Sequence, residues 1–350
     1  MEPPPALHIS PPLLNSANPW ATTLDDLRAL FACPSTGAVT TRTALLAGFA
    51  HDPAVHQYSF FDPATNTSGG GAVSTTGGAR SGDGASLNNM GYSPVTLDAY
   101  LRFIETIATE AGEKGTGTGK GFIVSVTGSP DDVAACYVRV AQLAARIVVP
   151  LAVEVNLSCP NIPGAPPPAY EGEALGRYLD ALARVAADMG AGGGTRAVPW
   201  GVKTPPYTHA GQFGMFISAL KSAASTYCPV SFVTATNTLG SCLVLENTTS
   251  AGASNTPRLA GTGIGGMAGA PLHPLALGNV ATLRRLLDAA PETRHVQIIG
   301  VGGVEDAAGY RRMRDVGAAA VGVGTALGRM GVAVFGRIED GLRDGEEVSW

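Results

Sequence analysis

The chain is short of charge. Only 15% of its 350 residues are Asp, Glu, Lys or Arg, and 28 acids against 23 bases leave a net charge of −5. No broad basic face is available to neutralise a phosphate backbone, which argues against nucleic acid as a partner. Long apolar runs are missing too: Ala144 to Val153 is broken by Arg146 and Pro150, whereas a membrane-spanning helix needs about 20 apolar residues. The first residues, Met1-Glu2-Pro3-Pro4-Pro5, carry neither the basic region of a secretory signal nor an Arg-rich transit helix. A soluble, cytoplasmic protein is expected. Cysteine is scarce and odd in number, five residues with none in C-x-x-C spacing, which speaks against a disulfide framework or a zinc site and for a reducing compartment. The six histidines, His8, His51, His56, His209, His273 and His295, show no H-E-x-x-H or other ligand spacing. Each reads as structural or solvated, and no metal site is expected.

What is present is enough apolar residue to build a large core: 45% of the chain is hydrophobic, and barrels of this length are routinely one domain. Short β-branched runs alternate with longer helical patterns, the order expected of βαβ units around a parallel sheet. Candidate strands are Pro12 to Leu14, Ala38 to Arg42, Phe122 to Val126, Val153 to Leu157, Gly201 to Lys203, Phe232 to Thr236, Val296 to Gly300 and Ala319 to Gly322. Eight such strands predict an α/β fold, a closed (β/α)₈ barrel spanning residues 1–350 as one domain. Ser129-Pro130-Asp131-Asp132 predicts a helix start, with a serine cap, a proline in the first turn and carboxylates facing the positive end of the dipole. Leu97, Leu101, Ile104 and Ala108 repeat at helical spacing and read as core packing. Residues 65–85, rich in Gly, Ser and Thr with Gly69-Gly70-Gly71 among them, depart from this rhythm and predict a flexible insertion loop. Gly192-Gly193-Gly194 reads as a shorter linker of the same kind.

The chemistry concentrates where an apolar strand runs into Asn156-Leu157-Ser158-Cys159-Pro160-Asn161. Barrel enzymes keep their active sites in strand-end loops. A free cysteine is ordinarily an inert small hydrophobe. Here two amides able to read a planar amide or imide flank the thiol, and Pro160 stiffens the loop.

With Ile162-Pro163-Gly164, this stretch resembles the N-L-S-C-P-N-x-P-G active-site loop of class 1 dihydroorotate dehydrogenases. The resemblance implies that Cys159 is the base removing the C5 proton of dihydroorotate while a hydride leaves C6 for the flavin of FMN. An unperturbed thiol near about 8.5 is only a few per cent thiolate at neutral pH, so a rate rising with pH is expected. Gly201-Val202-Lys203-Thr204-Pro205-Pro206-Tyr207 is similar to the family's G-V-K-L-P-P-Y. That makes Lys203 the second catalytic residue, placed to stabilise charge on the reduced flavin.

Further motifs extend the likeness across nearly the whole chain. Leu87-Asn88-Asn89-Met90-Gly91 is similar to I-N-S-M-G and Thr236-Asn237-Thr238-Leu239-Gly240 to N-S-I-G; they imply Asn88, Met90, Gly91, Asn156, Asn161, Asn237 and Thr238 as substrate contacts. For the cofactor the resemblance implies Ser16, Ala17, Arg42, Thr43, Asn88, Asn156 and Lys203. It adds a phosphate cradle from Gly263, Gly265, Gly266, Gly302, Gly303, Gly324 and Thr325. Gly261-Thr262-Gly263-Ile264-Gly265-Gly266 also satisfies G-x-G-x-x-G, but no helix follows it as a dinucleotide fingerprint requires.

The family default is oxidation of dihydroorotate to orotate in pyrimidine biosynthesis, with fumarate as acceptor in the same pocket and a homodimeric assembly. Two departures open a second reading. The family's T-K-S is Thr41-Arg42-Thr43 here, and arginine's planar fork is not a lysine's point charge. The G-N-P-x-P-R-Y loop is replaced by His51 to Asn66. A flavin enzyme of the same family acting on another dihydropyrimidine or enone fits these departures. A lyase with Lys203 as a Schiff-base residue and a non-catalytic barrel scaffold are the remaining alternatives.

Overall fold

The computed structural model describes residues 3–66, 82–113, 119–158, 167–191, 197–246 and 256–343. Cys159, Asn161, Gly192-Gly193-Gly194 and most of the 65–85 segment lie outside the described residues.

In chain order the elements are β1 (Leu13–Asn15), α1 (Leu24–Ala32), β2 (Ala38–Thr40), β3 (Tyr58–Phe61), β4 (Ala85–Asn88), α2 (Leu97–Glu113), β5 (Gly121–Val126) and α3 (Pro130–Ala144). There follow β6 (Leu151–Asn156), α4 (Gly172–Ala191), β7 (Trp200–Thr204), α5 (Ala210–Ser222), β8 (Phe232–Ala235), β9 (Leu239–Leu243) and β10 (Ile264–Gly269). The last are α6 (His273–Asp288), β11 (Gln297–Val301), α7 (Ala307–Asp315), β12 (Ala320–Val323), α8 (Thr325–Met330) and α9 (Ala333–Arg343).

Strands β1, β2, β5, β6, β7, β8, β11 and β12 close in that order into a parallel barrel, β12 pairing back on β1. These are the eight runs that the β-branched pattern predicts, shifted at their ends by one or two residues. The fold is a (β/α)₈ barrel. The helix expected after Ser129 forms, and its start is a capping box: Asp132 N–H donates to Ser129 Oγ at 3.2 Å, and Ser129 N–H donates to the Asp132 carboxylate at 2.9 Å. On α2 the buried face is Leu97, Tyr100, Ile104, Ile107 and Ala111, with Leu101 and Ala108 half-buried at its margin. Tyr100 and Ile107, between the expected positions, share the buried face with Leu97 and Ile104.

Two departures from the βα rhythm are productive. Between β2 and α2 the chain makes β3 and β4, and between β8 and α6 it makes β9 and β10. These four strands pair as a separate antiparallel sheet in the order β3-β4-β10-β9. Both excursions leave from the C-terminal ends of barrel strands, so the sheet stands over that end of the barrel.

Inside the barrel, polarity changes along each strand. Inward positions alternate with outward ones, and the N-terminal end is filled by Leu14, Ala38, Ile123, Ala152, Phe232, Ile299 and Ala320, packed as one apolar cluster. Two residues further along the same inward rows stand Ser125, Glu154 and Thr234, all buried. One step beyond are Asn156, Lys203 and Thr236. The barrel is plugged by hydrocarbon at one end and lined by hydrogen-bonding groups at the other.

Candidate active site

A cleft enclosing about 1000 Å³ of empty space, part of it open to solvent, lies between this polar end and the four-stranded sheet. It gathers Ser16, Ala17, Arg42, Thr43, Asn88, Met90, Gly91, Asn156, Lys203, Asn237, Thr238, Gly302, Gly303, Gly324 and Thr325 from the ends of seven barrel strands and from β4. These are fifteen of the residues that the resemblance implies. Gly265 and Gly266 are not among them: both lie in β10, where Gly266 pairs with Asn88 and its carbonyl accepts from Asn88 Nδ2 at 3.2 Å. Their lack of side chains serves a close approach, since a Cβ on Gly266 would come within 2.1 Å of Thr238 Oγ1. The glycine of this strand that reaches the cleft is Gly269, next to the turn into α6.

The amides are held by a directed network. Ser125 Oγ and Thr234 Oγ1 donate to the two oxygens of Glu154, at 2.9 and 2.7 Å. Because Ser125 spends its proton there, the 3.0 Å bond between Thr43 and Ser125 has Thr43 as donor, and Thr43 in turn accepts from Asn156 Nδ2 at 3.0 Å. The buried carboxylate thus sets the sense of the chain Asn156 to Thr43 to Ser125 to Glu154, and fixes which way the Asn156 amide faces. The Asn156 oxygen accepts from Ser158 N–H at 3.2 Å, Ser158 Oγ at 3.0 Å and Asn237 Nδ2 at 3.2 Å. Asn156 and Asn237, from β6 and from the loop after β8, therefore act as one unit. Ser158, whose hydroxyl also accepts from Asn237 at 2.9 Å, belongs to the same unit and was not singled out by the motif.

Lys203 is paired in register with Asn156 on β6 and Thr234 on β8, and is 3% exposed. Among the described residues no hydrogen-bond acceptor lies in reach of its ammonium. Thr236 Oγ1, also on the cleft wall, is buried and has no partner among them. Unpartnered buried polar groups are expensive, so both point to a polar ligand. Gly302 (φ 142°) and Gly303 (φ 68°) line the cleft in conformations that side chains rarely adopt, and a Cβ on Gly303 would come within 2.7 Å of Gly269 O. Glycines at positive φ, an unpartnered buried hydroxyl and a buried ammonium fit a nucleotide cofactor such as a flavin: Gly302, Gly303 and Gly324 would hold its phosphate, and Lys203 and Asn156 would contact its ring.

Arg42 does something that a lysine point charge would not. Its guanidinium is buried and donates to Tyr92 O at 2.9 Å and, more weakly, to Met90 O at 3.5 Å. It thereby ties the end of the β2 loop to the Met90–Tyr92 turn that forms one rim. The adjoining His51 is held below the usual imidazole range, first by burial, then by the charge of Arg42 and by His56. Trp20, Tyr58 and Phe60 build an aromatic wall beside this rim, with Trp20 edge-on to Tyr58 at 5.3 Å and stacked on Phe60 at 5.7 Å. Burial pushes the Tyr58 phenol up, so it stays a neutral hydrogen-bonding group. Trp20 and Tyr58 line the cleft and were missed by sequence reasoning, since no motif or periodic pattern marks either.

Residues 78–345 match the family described as dihydroorotate dehydrogenase. The chain is similar to dihydroorotate dehydrogenase (fumarate) of Trypanosoma cruzi, at 30% identity over 333 residues that make up 95% of this chain and 88% of the relative. It is similar also to putative dihydroorotate dehydrogenase A (fumarate) of Streptococcus uberis, at 30% identity over 259 residues, 74% of this chain and 72% of that one. Among solved structures its fold is similar to that of DHODH from Eimeria tenella in complex with ferulenol. There the TM-score is 0.69 at 17% identity, covering 95% of this chain and 80% of the other.

Proposed function

The chain belongs to the dihydroorotate dehydrogenase family, oxidoreductases acting on CH–CH donors, and from that premise we propose that it oxidises (S)-dihydroorotate to orotate in pyrimidine biosynthesis, with FMN as cofactor and fumarate as acceptor. The observation that carries this reading is the convergence of Asn156, Asn237 and Lys203 on one cleft whose far end is lined by Gly302, Gly303 and Gly324. FMN, when bound, supplies the two-electron acceptor for the hydride leaving the substrate. The chain's own residues do the rest. Asn88, Asn156, Asn237 and, by the motif, Asn161 hold the planar ring. Lys203 balances negative charge that develops beside it. Cys159, by the motif, takes the C5 proton. Family membership sets aside the Schiff-base and scaffold readings.

Arg42 favours one second reading, a related dihydropyrimidine or enone as substrate, because its bonds to Tyr92 and Met90 rebuild the rim from which a ring carboxylate would be held. The test is an anaerobic absorbance spectrum before and after dihydroorotate. A flavin band near about 450 nm that bleaches, and returns with fumarate, is the expected result. A band that persists transfers the proposal to the second reading, and a protein that takes up no flavin overturns both.

The reading extends to a cytosolic homodimer. The described cysteines Cys33, Cys136, Cys228 and Cys242 are all free thiols, the state a reducing compartment maintains. No described helix is long and apolar enough to cross a membrane. At the outer edge of the four-stranded sheet, Leu243, Leu245 and Ile264 are 48%, 38% and 44% exposed, an apolar face suited to a second copy.

A further inference from the structure

His273 is the first residue of α6, and 8% exposed. It is absent from the cleft wall, yet it touches the wall from behind. Its Nδ1 lies 2.7 Å from Gly302 O, and its Nε2 lies 3.1 Å from Arg312 Nε on α7. An arginine Nε–H can only donate, so Nε2 of the imidazole is the acceptor and the ring proton resides on Nδ1. Nδ1–H then donates to the Gly302 carbonyl. The three groups form a one-way relay from Arg312 through His273 to the Gly302–Gly303 peptide.

That relay has a consequence on the other side of the peptide plane. In a trans peptide the carbonyl of one residue and the N–H of the next point in opposite directions. Anchoring Gly302 O towards α6 turns the Gly303 N–H away from it, to the side of the cleft that both glycines line. Among the described residues this N–H has no hydrogen-bond partner. Glycine leaves the peptide intrinsically free to turn over, and Gly302 and Gly303, at φ 142° and 68°, occupy the conformations in which that freedom is used. A side chain that selects one orientation therefore has something to select.

We propose that His273, oriented by Arg312, is a positioning residue that locks the Gly302–Gly303 peptide with its N–H facing the cleft, so that it is ready to donate to an anionic group, the phosphate of the flavin nucleotide. The inference rests on the FMN reading above and adds to it the residues that preorganise the anion's donor. A buried imidazole serves better than a lysine or a carboxamide here because it is rigid, bears one donor and one acceptor at opposite edges, and passes the orientation of a helix α7 side chain to a backbone carbonyl two layers away.

The experiment is equilibrium binding of FMN and of riboflavin to deflavinated protein, by quenching of flavin fluorescence. The proteins are the wild type, His273→Phe, which keeps the ring volume and loses the Nδ1 donor, and Arg312→Met, which leaves the imidazole in place without its orienting donor. Riboflavin lacks the phosphate and reports the rest of the site. The expected result is that His273→Phe weakens FMN about tenfold or more, the range of one charge-assisted hydrogen bond, and riboflavin by less than about twofold. Arg312→Met should move FMN in the same direction by a smaller factor. Affinities for both ligands that stay as in the wild type, or that fall by the same factor, overturn the proposal, the second outcome marking a merely structural role. If His273→Phe does not fold, Arg312→Met decides by the same ratio. Wild-type protein that binds neither flavin overturns the cofactor assignment itself, an outcome distinct from a failure of the relay.

Discussion

At the residue scale the site depends on two buried charges with opposite tasks. Lys203 is a buried ammonium with no acceptor among the described residues, and its replacement by methionine keeps the volume while removing the charge. Lys203→Met should slow substrate-driven bleaching of the flavin by about 10²- to 10³-fold, the size of one preorganised electrostatic group. Thermal stability should not fall, because an unpaired buried charge is costly to the fold. Anaerobic stopped-flow absorbance beside a melting curve checks both halves; a rate within a few-fold of wild type would remove Lys203 from the chemistry.

Glu154 is the other charge. Its two hydroxyl donors, Ser125 and Thr234, leave it one layer beneath Asn156 and Lys203. A fixed anion under the cleft disfavours adding electrons above it. Glu154→Gln should therefore shift the flavin midpoint potential in the positive direction, read by spectroelectrochemical titration. A negative shift would contradict this placement of the charge. The same substitution reverses the donor at one end of the network, so substrate affinity, which depends on the Asn156 amide, should fall with it.

At the scale of elements, the helices are specified by local chemistry that is visible in the chain, but one terminus is held by a distant residue. Helix α1 lacks a basic residue in its last turn. Lys120, which precedes β5, donates instead to Phe31 O and Thr36 Oγ1, each at 2.9 Å, and to Cys33 O. Burial pushes this ammonium down to about 8. A lysine that gives up its proton more readily when folded costs stability while both states are protonated, below about 8. As pH rises from there towards the ordinary lysine value, the unfolded chain binds more protons than the folded one, and stability increases. Between about pH 8 and 10 the urea midpoint of the wild type should therefore rise relative to that of Lys120→Met, while the buried thiols of Cys136 and Cys228, pushed up to about 12, lower both proteins together above about pH 9. Above that window the phenols of Tyr137 and Tyr310, pushed up by burial, also hold protons that the unfolded chain releases and add to the common fall.

At the scale of the whole molecule, the two excursions that build β3-β4-β10-β9 matter most. They supply Tyr58, Asn88 and Thr238 to the cleft and leave β9 as a sheet edge beside the exposed Leu243, Leu245 and Ile264. If a second copy covers that face, the double variant Leu243→Glu with Ile264→Glu should halve the mass seen by light scattering at micromolar concentration, while the flavin spectrum stays as in wild type. An unchanged mass would place any interface elsewhere.

The barrel itself was legible because its strands are short apolar runs, β-branched in all but β1, that alternate with helical patterns, and because Ser129, Pro130 and Asp132 announce a helix through interactions within four residues. The strand-end positions of Asn156, Lys203 and Asn237 followed from the same rhythm joined to a motif. The four-stranded sheet was not legible. Its strands are four to six residues long, β10 contains three glycines, and Tyr58 and Gly266 meet across β4 from opposite halves of the chain. For the same reason Gly265 and Gly266 read as cradle glycines and proved to be ladder residues.

By itself, then, the sequence determined the (β/α)₈ architecture and most of the residues that face its C-terminal end, since short apolar strand runs buried on both faces and helix capping are local signals, and the motifs stand at the strand ends. Tertiary structure alone decided which of those groups act together: Glu154 setting the direction of the Asn156 amide, Arg42 tied to the Met90–Tyr92 rim, and His273 reaching Gly302 from behind. Those are contacts between residues 29 to 113 positions apart in the chain. Nothing local to either partner encodes them, and only closure of the barrel brings them within hydrogen-bonding distance.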